Sequence, residues 1–117
     1  MNLQQRLDVW EALSDVYVDT ETDFPIIAKK VKEVDLETLE YIFFDEVSAY
    51  CAVNFSSPIP PIWTGFQREN LQEGILAIIK ENQTSEWKRF KHQVYVAYLR
   101  WKYQELWREL RRHVEAA

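Results

Sequence analysis

Two glycines and four prolines in 117 residues leave this chain few places to turn tightly, and three of the prolines sit together at Pro58, Pro60 and Pro61. A β-rich fold needs those residue types at its many hairpins and corners. Their scarcity predicts helices, and the spacing of the apolar residues agrees.

Over residues 2 to about 18, Leu3, Leu7, Trp10, Leu13 and Tyr17 recur at steps of three and four, which puts one stripe of a first helix on the core. Asp19-Thr20-Glu21-Thr22-Asp23 breaks the pattern. Pro25 suits the first turn of a second helix, where a missing N–H costs nothing, and Ile26, Ile27 and Val31 carry that helix to about residue 33. Asp35 is a good N-cap for a third helix containing Leu36, Leu39, Phe43, Val47, Tyr50 and Cys51 and ending near Asn54. Residues 56–61 cannot continue it, because proline removes a donor and restricts its neighbour. Phe55, Ile62, Trp63 and Phe66 flank this loop so closely that it should be pinned to the core.

A fourth helix follows from residue 67 to about 82 with Leu71, Ile75, Ile78 and Ile79 inward. Gly74 inside it costs about 1 kcal/mol relative to alanine, so it should mark a close helix crossing. Ser85 then caps a last helix reaching about Val114. At 100° per residue, Trp87, Phe90, Val94, Tyr98 and Trp101 share one face, and Leu99, Tyr103, Leu106, Leu110 and Val114 lie nearly opposite. Between Val94 and Tyr103 the helix is apolar almost all round, as a central helix should be. On that reading Trp101 is a core residue, and Trp101→Ala would cost about 3–5 kcal/mol. The expected fold is all-α: a single compact domain of about five helices spanning residues 1–117, with a long central C-terminal helix. With 47% hydrophobic and 15% aromatic residues, and at a length where roughly two-thirds of the unfolded surface can be buried, one core suffices.

Charge is distributed unevenly. Residues 1–50 carry twelve carboxylates against four bases, whereas residues 85–117 carry four against eight. The net charge of −5 opposes nucleic-acid or anionic-membrane binding, which needs a basic field, and permits a basic protein partner. The one cysteine, Cys51, excludes an internal disulfide, and no secretory leader or apolar run of about eighteen residues is present. The expectation is a cytoplasmic protein.

No constellation reaches the standard of a catalytic, metal or nucleotide site. Asp19, Glu21 and Asp23 alternate as in a calcium loop, but Phe24 and Lys30 stand where that loop needs glycine and a bidentate glutamate. Cys51 with His92 could form a nucleophilic pair, yet Cys51 falls on an apolar helical face. Asp45 and Glu46 diverge by 100° as helical neighbours and cannot aim at one bond. We therefore expect a non-enzymatic protein without metal or cofactor. Asp8, Glu11 and Asp15 form a row opposite the apolar stripe of the first helix and lead into Asp19, Glu21 and Asp23. Two readings are open for them. They dock on Lys88, Arg100, Arg108 or Arg111, or they are displayed to a basic partner whose encounter they accelerate.

The run Arg6-Leu7-Asp8-Val9-Trp10-Glu11-Ala12-Leu13-Ser14 with Asp19-Thr20-Glu21, then Phe44-Asp45-Glu46-Val47 with Asn54, and Trp63-Thr64-Gly65-Phe66, resembles a family of small bacterial helical proteins with no assigned activity. The resemblance covers roughly the first eighty residues and brings no catalytic residue. In size, acidity and helical content the chain is also similar in kind to immunity proteins of bacterial toxin systems. The expected function is accordingly an immunity protein that masks the functional surface of a cognate toxin, through Asp8, Glu11, Asp15, Asp19, Glu21 and Asp23, with Asp45 and Glu46 in addition. The competing expectation is a non-enzymatic adaptor that assembles through exposed aromatic residues.

Overall fold

The computed structural model describes residues 2–17, 23–55 and 68–117, and every regular element among them is helical. The proline-rich segment expected to pin itself to the core, together with Asp19 and Glu21, lies outside the described residues. Helix α1 (Leu3–Ser14) starts at a capping box in which Asn2 accepts from the Gln5 backbone and Gln5 accepts from that of Asn2. It tightens into a 3-10 turn at Asp15–Tyr17. Helix α2 (Phe24–Val31) opens with Asp23 accepting from Ile26 N–H and with Pro25 in its first turn. The Asp35 side chain likewise caps α3 (Leu36–Tyr41) through Thr38 N–H. From there the chain runs without a break through a π-helical segment, Ile42–Ser48, into α4 (Ala49–Phe55).

The π-helical segment explains how so much of the third expected helix turns inward. Its wider, i→i+5 turn lets Ile42, Phe43, Phe44, Glu46, Val47 and Ser48 all be buried within seven residues. Phe43 lies at the centre of the core: its ring packs against Phe44 (centroids 4.9 Å), Trp107 (5.7 Å) and Tyr17 (5.8 Å). Trp10, Leu13, Val31, Leu39 and Leu110 close around these rings, so α1, α2 and the last part of the chain share one core with the π-helical segment.

Glu46 is the buried charge in this core, 3% exposed. Its carboxylate accepts from Arg6 Nε at 3.1 Å, from a second Arg6 nitrogen, and from Trp10 Nε1 at 2.9 Å. The adjacent Asp45 turns the other way, toward Arg100 at 3.3 Å. The two neighbours diverge as expected, but Glu46 points inward and so is corrected from a displayed contact to an internal anchor.

Helix α5 (Arg68–Thr84) crosses α4 at Gly74, where an added Cβ would come within 2.3 Å of the Tyr50 ring. The expected close crossing is there. Helix α6 (Glu86–Lys102) begins at the Ser85 cap, and α7 (Gln104–Ala116) follows after a single non-helical residue, Tyr103, at φ −109° and ψ 21°. The C-terminal run is therefore two long helices rather than one. The break redirects the chain, so that α7 packs chiefly on α2 while α6 packs on α5 and the π-helical segment.

Two stability measurements test this packing. Glu46→Ala should lower the free energy of urea unfolding by about 3 kcal/mol, because it leaves Arg6 and the Trp10 N–H without their partner. Glu46→Gln should cost less, since an amide oxygen still accepts from Trp10. Gly74→Ala gains helix propensity of about 1 kcal/mol but overpacks against Tyr50 at a cost of about 1–3 kcal/mol, so a net loss is expected. In a Tyr50→Ala background the same change should stabilise, which a double-mutant cycle measures.

Candidate functional site on the outer face of α6

Helix α6 has an inner face set by Val96 and Leu99, which are buried, with His92, Tyr95 and Arg100 half-buried beside them. Leu99 meets the small residues Ala49 and Ala52 on α4, which lets the two helices approach. Opposite this, Trp87, Phe90, Val94, Tyr98 and Trp101 stand in the solvent at 66, 55, 56, 49 and 70% exposure. Among the described residues nine large apolar side chains are exposed, and five of them form this one row. Scattered apolar residues are ordinary on a surface, whereas a contiguous row marks an interaction site.

This overturns the expectation that Trp101 belongs to the core. Once the chain breaks at Tyr103, the stripe carrying Leu99, Leu110 and Val114 faces inward on both helices, and the stripe carrying Trp101 is left outside. The expected cost of Trp101→Ala falls to about 0.5 kcal/mol or less, as for other surface substitutions.

The rings of the outer row touch one another. Trp87 stacks with Phe90 at 5.9 Å, and Tyr98 meets Trp101 at 6.3 Å. The Lys91 ammonium lies 6.0 Å from the Trp87 ring, and that of Lys102 lies 5.7 Å from Tyr98. No carboxylate occurs between Glu86 and Glu105, so the rim of the row is cationic within an acidic protein.

The acidic residues are dispersed by contrast. Asp8 and Glu11 both accept from Arg68, at 2.8 and 2.9 Å, and not from the C-terminal helices. Asp23 serves as the cap of α2. Asp45 and Glu40 hold Arg100, whose guanidinium also lies 4.9 Å from the Phe44 ring. Burial keeps the Asp45 carboxyl above its ordinary range despite Arg100. Arg108, Arg111 and Arg112 pair within their own helix, with Glu105, Glu115 and Glu109. Asp8 and Glu11 on α1 and Asp15 at its C-cap remain an exposed row.

Cys51 is sealed in the core, where burial pushes its thiol pKa up and holds it protonated. His92 lines a groove of about 390 Å³ with Glu81, Lys88 and Tyr95, and His113 stacks on Phe24 at 5.9 Å. Among the described residues no three His, Cys, Asp or Glu side chains are grouped as metal ligands. None of the described helices is long and apolar enough to cross a membrane.

Asp15 sits at the C-cap of α1, where the helix dipole disfavours negative charge. Partial burial holds its carboxyl above the ordinary range, with Lys30 opposing and Glu11 reinforcing the shift. The folded chain thus binds this proton more tightly than the unfolded chain, so the ionised carboxylate is destabilising at neutral pH. Asp15→Asn should raise stability by about 0.3–1 kcal/mol at pH 7. The gain should fade as pH falls through the raised pKa toward the ordinary carboxylate range, and thermal melts across that window measure it.

Neither a curated protein nor a solved structure matches the chain. A family profile does, over residues 4–113, which takes in both the row on α1 and the outer face of α6. The chain therefore belongs to the family described as a domain of unknown function, DUF7079.

Proposed function

We propose that this is a non-enzymatic protein-binding protein that assembles through the outer face of α6. The exposed row of four aromatic rings and Val94 is the observation that carries the reading. Aromatic side chains dominate the energetics of protein interfaces, because they bury large apolar area with few rotatable bonds. A rim of Lys91 and Lys102 around an apolar centre follows the usual layout of such a surface.

Toxin neutralisation is the second reading. Asp8, Glu11 and Asp15 stand exposed at steps of three and four on α1 and its C-cap, and with a net charge of −5 they would steer the protein to a basic cleft. It would make the protein an immunity protein of a bacterial toxin system. The engagement of Asp8 and Glu11 with Arg68 weakens this reading relative to the first.

Sedimentation of the labelled chain, alone and in extract of its source cells, separates the two. Phe90→Glu should leave the circular dichroism unchanged, since the site is exposed, and abolish the complexes that the parent forms. Asp8→Asn with Glu11→Gln should leave them intact. Complexes that survive Phe90→Glu and vanish with the acidic pair changed would establish the second reading in place of the first.

A further inference from the structure

The row on α6 is a palindrome. Trp87 and Trp101 lie seven residues to either side of Val94, and Phe90 and Tyr98 lie four to either side. The order along the helix is large, medium, small, medium, large, and it is the same in both directions. An interface between two identical chains related by a two-fold axis has this requirement: the patch must be complementary to itself when reversed.

We infer that the occupant of the outer face of α6 is the same face of a second copy, packed antiparallel with the two-fold axis at Val94. This rests on the reading of α6 as the assembly surface and names the partner. In such a pair Val94 meets Val94 of the other copy, Phe90 lies level with the other Tyr98, and Trp87 lies level with the other Trp101. Crossing helices are closest at one point, about 8–10 Å apart, and separate toward their ends. A valine at the crossing with tryptophans at the ends fits that shape. The row spans about 21 Å at 1.5 Å per residue, long enough for two heptad-like repeats of contact.

Area supports a stable pair. With each aromatic ring offering about 150–250 Å², the exposed portions of the row amount to on the order of 500 Å² per copy, approaching the ~800 Å² per partner of a standard interface. Charge sets a further condition. Lys91 and Lys102 border the row on both copies, and each copy carries a net charge of −5, so like charges approach on pairing. Added salt screens them over about 10 Å at 0.1 M and should tighten the dimer. An acidic peptide docking on the same rim would weaken with salt instead.

The test uses the purified full chain in sedimentation equilibrium, alone and in rising sodium chloride. The inference expects a species of twice 14.1 kDa at micromolar concentration that tightens with salt. It also expects Phe90→Glu to yield a monomer with unchanged circular dichroism and cooperative melting, its melting temperature lowered only by the concentration-dependent stabilisation that pairing adds to the parent. Val94→Cys should be captured as a dimer by a short bismaleimide, whereas Lys88→Cys, on the flank of the helix, should not; the parent, with Cys51 buried, is the blank. A monomer at every concentration that still forms Phe90-dependent complexes in cell extract would overturn the second copy and leave the assembly surface standing. A dimer indifferent to Phe90→Glu would overturn both. A Phe90-dependent dimer in which Val94→Cys fails to cross-link would overturn the two-fold arrangement.

Discussion

The Glu46 carboxylate fixes how the rest of the molecule is put together. A charge at 3% exposure is tolerable only if its oxygens are occupied, and here Arg6 and Trp10 of α1 occupy them. Because both donors lie on one helix, four residues apart, the carboxylate sets the rotation and the height of α1 against the π-helical segment. Trp10 could pack as a hydrophobe in several registers, but its indole N–H meets Glu46 in one. With that register fixed, Phe43 and Phe44 are presented to Trp107, and α7 has its seat.

The same seat accounts for the surface. Packing α7 on α2 requires the chain to change direction at Tyr103, and Tyr103 sits in edge contact with Tyr17 at 5.2 Å. Arg100, one turn earlier, is held by Glu40, Asp45 and the Phe44 ring. These contacts settle which side of α6 faces inward. The aromatic row on its other side is thus a product of the core's geometry.

Much of the helical framework was legible along the chain. Asp35 and Ser85 are caps where short-range chemistry places them, Pro25 sits in the first turn of α2, and Gly74 sits at the close crossing its cost implied. These features depend on neighbours within four residues. The break at Tyr103 was not legible, because no glycine or proline marks it and both flanking runs have helical spacing. Nor was the inside of α6: two apolar stripes on opposite faces carry the same periodicity, and only tertiary packing chooses between them. The burial of Glu46 escaped detection because it depends on a widened turn with no compositional mark.

Cys51 gives the molecule one further property. Its thiol is the single sulfhydryl of the chain, fully buried and held protonated, and no other residue can cross-link the fold covalently through sulfur. No internal disulfide therefore braces the described helices. The packing around Glu46 and the row on α6 should be the same in an oxidising medium as in a reducing one, which makes the fold portable between chemical environments that divide most small proteins into two kinds.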